Sequence, residues 1–129
     1  VLKFFAYYEN RTKFKHSVKI FLNDYMEEKT KKFKNTKELS DIFEETIEIL
    51  HKTLKHGIVR SVRPNSTPLV LFEAITVGVA DVIHNKKEIN PKKLIKILDN
   101  DTLKELTTGA TNSKTKLINR INFVSENII

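Results

Sequence analysis

Thr67-Pro68-Leu69-Val70-Leu71-Phe72-Glu73-Ala74-Ile75-Thr76-Val77-Gly78-Val79-Ala80-Asp81-Val82-Ile83-His84 is the stretch whose reading decides the fold. Thr67 can cap a helix whose first turn begins at Pro68, where a missing N–H costs nothing. Over the following turns only Glu73 and Asp81 are charged; at about 100° per residue, Glu73, Thr76, Ala80 and His84 fall on one narrow stripe, and apart from Asp81 the rest is apolar. A helix apolar on most sides is enclosed by other helices. The expectation is an all-α, compact bundle of six or seven helices around a central buried helix at about 67–84.

The flanking sequence supplies those partners. Leu2, Phe4, Phe5, Tyr7 and Tyr8 read as the end of a helix. Their aromatic pairs could stack on bases, but at helical spacing they read as core. Val18, Phe21, Leu22, Tyr25 and Met26 follow at i, i+3, i+4, i+7 and i+8, one buried face of a helix from about Lys15 to Lys29. The lysines around Phe33 read as a solvated linker. Asn35 and Glu38 resemble a capping box. It opens a long amphipathic helix that carries Leu39, Ile42, Phe43, Thr46, Ile49, Leu50 and Leu54 inward, and Gly57 stops it. After the central helix, Asn90-Pro91 starts a helix packed by Leu94, Ile95, Ile97 and Leu98, and Asp99-Asn100-Asp101 caps a short one. A last helix from about Lys114 turns Leu117, Ile118, Ile121, Val124 and Ile128 inward. No alternating strand pattern and no internal repeat occurs.

With 129 residues, 40% of them hydrophobic and 30% charged, the chain is sized for one helical domain with a real core. No apolar run approaches the roughly 18–20 residues a transmembrane helix needs, so no membrane partner is expected. The absence of cysteine excludes a disulfide scaffold and a thiolate zinc site. It fits a reducing compartment, and no stretch reads as a signal peptide, so the expected location is cytoplasmic. Val1 stands inside what reads as a helix, as expected of a C-terminal fragment of a longer protein. The net charge of +7 and pI near 9.6 favour acidic partners, nucleic acid first. A lysine-, asparagine- and isoleucine-rich background composition would produce the same excess.

Catalytic constellations are scarce. Glu48 and His51 form Glu-x-x-His on a helix, the spacing of di-iron bundles. The second such pair those sites require is missing from the sequence, and a surface neighbour pair is the default. Three glycines cannot build a dinucleotide fingerprint, and no His-Glu-x-x-His or Gly-x-Ser-x-Gly is present. No catalytic residue, metal ligand or cofactor is assigned to this segment. Two basic groups remain as anion- or DNA-binding candidates. Arg60 and Arg63, in the irregular crossing from Ile58 to Asn65, offer bidentate anion contacts, or could pair with Glu44 or Glu48. Ser113, Lys114, Lys116 and Arg120 follow the hydroxyl-rich Thr107–Ser113 loop at a helix N-terminus, a setting for an anion. The plainer alternative is a helix start capped by Ser113 or Asn112.

Leu2-Lys3-Phe4-Phe5-Ala6-Tyr7-Tyr8-Glu9-Asn10, Phe21-Leu22-Asn23-Asp24-Tyr25-Met26 and Leu39-Ser40-Asp41-Ile42-Phe43 resemble the helical half of the GmrSD-like restriction family, the group labelled domain of unknown function 262. Leu71-Phe72-Glu73-Ala74, Thr107-Thr108-Gly109-Ala110-Thr111-Asn112-Ser113 and Arg120-Ile121 are similar to the end of that domain. The resemblance spans almost the whole chain, on motifs that are mostly helix-packing residues. It implies a DNA-targeting defence protein. The family's upstream part is a ParB-like nucleotide-hydrolysing domain with an Asp-Gly-Gln-Gln-Arg motif, and many members carry an HNH nuclease. Neither motif occurs here, so the resemblance implies a non-catalytic helical portion that supports the upstream domain of the same chain or contacts DNA. The rival expectations are an autonomous nucleic-acid-binding helical module and a protein-binding scaffold.

Overall fold

The structure, a computed structural model, describes residues 1–32, 34 and 36–129. Asn35, expected as a cap, and Phe33 lie outside the described residues. Seven α-helices are described: α1 (Leu2–Asn10), α2 (Val18–Lys31), α3 (Thr36–Thr53), α4 (Leu69–His84), α5 (Pro91–Ile97), α6 (Asp101–Thr107) and α7 (Lys114–Asn127), with a 3₁₀ turn at Arg11–Lys13. The protein is all-α, and an isolated bridge between Arg60 and Arg63 is the sole extended pairing among the described residues.

Helix boundaries follow local chemistry. Ser17, Asn90, Asn100 and Ser113 each accept a hydrogen bond from a backbone N–H in the turn they precede, capping α2, α5, α6 and α7. The second helix therefore starts at Val18, the first residue of its hydrophobic pattern, three residues after the expected Lys15. At α4 the expected cap is displaced. Pro68 itself is the extended residue before the helix, and its carbonyl accepts from Phe72 N. Thr67 makes no capping hydrogen bond.

The central position of α4 is as expected. Residues 73–80 are buried without interruption, and α1, α3, α6 and α7 pack on this helix. It separates two apolar clusters. Leu71, Ala74, Ile75, Val79 and Val82 face aliphatic side chains from α3, α5, α6 and α7. Val77 and Ala80 face an aromatic cluster of Phe4, Tyr7, Phe14, Phe21 and Tyr25, together with Leu117 and Ile121 of α7. Tyr7 stacks on Phe21 with ring centroids 5.5 Å apart, and Phe14 meets Phe21 edge-on at 5.4 Å. The α1 aromatics are thus core, each contributing about 0.5–1.5 kcal/mol per ring pair beyond its buried area. Met26 and Ile95, expected inward, are exposed. α2 touches α1 chiefly, so one narrow face suffices to bury it. α5 is only two turns long and covers the core with Leu94, Ile97 and Leu98.

Buried threonines satisfy their hydroxyls within their own helices. Thr46, Thr76 and Thr107 donate to the carbonyls of Ile42, Phe72 and Leu103 at 2.7–2.8 Å, so none of these three hydroxyls is stranded in the core.

α4 and α7 approach closely at Gly78. A methyl group built there would lie 2.5 Å from Val124 Cγ1 and 2.7 Å from its Cβ. Val124 is β-branched and stiff in a helix, so it cannot swing aside. Gly78→Ala gains helix propensity of about 1 kcal/mol and loses more to overpacking, which costs about 1–3 kcal/mol. Thermal or urea unfolding is expected to show Gly78→Ala as net destabilised. The double variant Gly78→Ala/Val124→Ala should be more stable than the two single losses added together. Additive behaviour in that double-mutant cycle would contradict the close approach.

Candidate functional site

The polar stripe of α4 is met by α1 along its length. Lys3 Nζ lies 2.9 Å from Glu73 Oε1. Eight residues further along each stretch of chain, Arg11, at the start of the 3₁₀ turn that follows α1, donates from both terminal nitrogens to the two carboxylate oxygens of Asp81. Contacts repeating at the same spacing on both stretches mean that α1 runs alongside α4 in the same direction. Tyr8 and His84 complete the seam, with the phenol oxygen 3.0 Å from Nδ1. Arg11 also donates to the carbonyls of Tyr7 and Tyr8, closing the end of α1. Fork-to-fork pairing of guanidinium and carboxylate is the strong form of ion pair. Burial nonetheless raises Asp81 above the usual carboxylate value, with Arg11 opposing that rise.

Lys3, Tyr7, Tyr8 and Arg11 were not singled out by the sequence as partners of Glu73, Asp81 and His84. A signal was present: Lys3 and Arg11 are spaced by eight residues, as are Glu73 and Asp81, with opposite charges.

Arg120, on α7, is turned into the core rather than toward solvent and is 3% exposed. It donates to Thr111 O at 2.9 Å, tying the α6–α7 loop to the core, while its Nε has no partner. Burial pulls its pKa below the usual arginine value, and the negative charge of Glu73 acts against that. Beside it, burial and Glu73 push the Tyr7 phenol up to about 12, with Arg120 opposing. Ser113 caps α7 through Lys116 N at 3.1 Å, as one of the two expected readings has it. Lys114 is exposed and Lys116 half-buried.

Arg60 is pinned rather than free. Its Nη2 donates to Thr107 Oγ1 at 2.6 Å, and the neighbouring Ser61 donates from N and Oγ to Asp99. Those bonds lock the irregular crossing onto the α5–α6 corner and hold the Asp99 carboxyl below its ordinary value. No ion pair joins Arg60 or Arg63 to Glu44 or Glu48 among the described residues. Arg63 is exposed. The fold therefore brings Arg60 against the end of α6 and Arg120 against the loop that follows it. Both act there as ties, and of the candidates Arg63, Ser113 and Lys114 are exposed. Glu48 and His51 stand exposed on α3.

Two surfaces of opposite charge remain. An open cleft of about 940 Å³ is lined by Glu9, Glu38, Asp41, Glu45 and Asp81, together with Arg11 and His84. A second groove of about 670 Å³ lies between the end of α3 and the α4–α5 turn, bordered by Lys52, Lys86 and Lys87 above Ile49, Ile83 and Ile89. Comparison with protein-family models, characterised proteins and solved structures returns no match for the chain.

Two variants test the seam. Arg11→Ala strands the partly buried Asp81 and should lower unfolding free energy by about 2–3 kcal/mol. Adding Asp81→Asn should recover part of that loss in urea titration, and no recovery would argue against the pairing. Tyr7 supplies a pH test. An acid whose pKa rises on folding stabilises the fold fully below its unfolded value and loses that contribution as pH rises toward the folded value. Stability should therefore fall between about pH 10 and 12 by roughly 2–3 kcal/mol on account of Tyr7. Tyr7→Phe should show a shallower decline over that range, and an unchanged decline would place the phenol outside the core.

Proposed function

We propose that this chain is the helical, non-catalytic portion of a DNA-targeting restriction or phage-defence protein of the GmrSD-like family. In this reading it supports an upstream ParB-like nucleotide-hydrolysing domain and contacts DNA itself. The observation that carries the DNA contact is the disposition of charge. Ion pairs within the fold use Lys3, Arg11, Lys13, Lys29 and Lys31. The lysines at the end of α3 and in the α4–α5 turn, Lys92 and Lys96 on α5 and Lys114 at the start of α7 enter no ion pair among the described residues and face outward. Outward, unneutralised lysine is the electrostatic footprint of a polyanion partner. The helical architecture accords with the resemblance. Among the described residues, no group of three or more metal-ligating side chains converges.

A second reading has its own observation. The acidic cleft would repel a phosphate backbone, and its open, carboxylate-lined shape suits contact with protein. The acidic cleft and the basic groove adjoin at Glu45 and Ile83, so in this reading the neighbouring domain and DNA sit side by side.

Titration of the 129-residue chain with duplex DNA at 50 and 200 mM salt is the direct test. Binding that weakens steeply between the two concentrations is the expected result. Absence of binding at 50 mM removes DNA contact and leaves the scaffold reading. The family assignment has a separate check: an Asp-Gly-Gln-Gln-Arg stretch is expected upstream of Val1 in the encoding gene, and its absence would refute the assignment.

A further inference from the structure

The turn that ends α4 carries a conformational oddity. Lys87 N donates to Val82 O and Lys86 N to Ile83 O, which together close the helix in a Schellman arrangement. Lys86 occupies the left-handed position of that motif, with φ of 55°, and is the sole described non-glycine residue at positive φ. Glycine is the stable choice there, because a Cβ in the left-handed region meets the following carbonyl. Gly57 and Gly109 fill the other positive-φ positions among the described residues. A strained residue retained where glycine would serve is grounds for seeking a use for its side chain. The helix dipole accounts for positive charge near this end, but Lys87 meets that need without strain.

Lys86 and Lys87 border the groove together with Lys52 from the last turn of α3. Lys92, in the first turn of α5, stands beside it. Glu45 and Glu88 also line the groove, leaving lysine in excess. None of the four lysines is ion-paired among the described residues.

We propose that Lys52, Lys86, Lys87 and Lys92 form a site for the phosphate backbone of double-stranded DNA that reads neither base sequence nor single strands. This rests on the DNA-contact reading above and assigns its location to the α4–α5 turn, away from Arg60, Arg63 and the start of α7. The mode follows from the side chains present. Lysine is a compact, flexible point charge suited to phosphate, whereas the rigid planar fork that favours bidentate recognition belongs to arginine. Three arginines, Arg11, Arg60 and Arg120, are held by Asp81, Thr107 and Thr111. The groove's floor of Ile49, Ile83 and Ile89 has no side-chain donor or acceptor to offer a base edge. Single-strand binding needs aromatic platforms. The described aromatics are buried or half-buried except Phe72, which lies fourteen residues before Lys86, roughly 21 Å away along α4.

The test uses fluorescence anisotropy with two 20-base-pair duplexes of unrelated sequence and a 20-nucleotide thymidine strand. Four phosphate contacts give a slope of about −3.6 in log affinity against log salt, a loss on the order of 10²-fold from 50 to 200 mM. Both duplexes should bind alike and more tightly than the single strand. Lys86→Ala/Lys87→Ala/Lys92→Ala should reduce the slope to about −0.9, while Lys114→Ala/Lys116→Ala should leave it unchanged. Lys86→Gly should melt a few degrees higher than the parent and yet bind duplex more weakly at 50 mM, which separates a binding role from a folding role. A triple variant that keeps the parent's slope would overturn the site while leaving DNA contact standing. Preference for one duplex or for the single strand would overturn the backbone mode. No binding by the parent at 50 mM would remove both this site and the reading it rests on.

Discussion

The enclosure of α4 is the constraint on which the rest of the structure depends. A helix with Glu73 and Asp81 along its length cannot be surrounded by side chains unless each carboxylate is answered. A carboxylate moved from water into a protein interior loses several kcal/mol of solvation that a well-aligned partner must return. α1 and the 3₁₀ turn that ends it supply the answers, Lys3 and Arg11, and the parallel course of α1 beside α4 follows from them. The aromatic rings carried between those two cations then fall where Val77 and Ala80 need covering. On the other flank Gly78 lets α7 come close enough for Val124 and Ile121 to be buried. Charge pairing on one side and close backbone approach on the other are how a single helix serves two cores.

Much of the architecture was legible because helical periodicity is a local property. The buried faces of α3, α4 and α7 and the capping residues before α5 and α6 can be read from a few consecutive residues. Asn90 followed by Pro91 needs no tertiary information to signal a helix start. Met26 and Ile95 went the other way. Whether an apolar residue at the margin of a stripe is covered depends on how wide a face the neighbouring helix covers, and α2 and α5 lie at the periphery.

The functional residues were harder to read for a related reason. Arginine in a loop before a helix has the same local appearance whether it meets a ligand or the protein itself. Arg60 finds Thr107, forty-seven residues away, and Arg120 finds Thr111 from inside the core. Nothing in their immediate neighbours announces either partner. The meeting of Lys3 and Arg11 with Glu73 and Asp81 was closer to legible, since matched spacings of opposite charge carry over between parallel helices. The seam brings a second constellation to the stripe of α4 where the helix alone offered none. It is a packing device all the same, with its cations and carboxylates turned upon one another.

The chain consequently uses charge in two distinct ways. Where α1, α4 and α7 meet, charges are few, partly buried and directed by specific hydrogen bonds, and their removal should be felt as lost stability. At the α4–α5 turn and the end of α3 they are numerous, exposed and without internal partners, and folding gains little from them. Lys86 makes the contrast sharpest. Its backbone conformation opposes folding, and its side chain makes no ion pair among the described residues. If stability alone governed that position, glycine would serve better, as it does at Gly57. The excess positive charge of this chain is therefore better understood position by position than as a total. The arginines mostly hold the fold together, while the lysines left outside it form the face proposed to meet a polyanion.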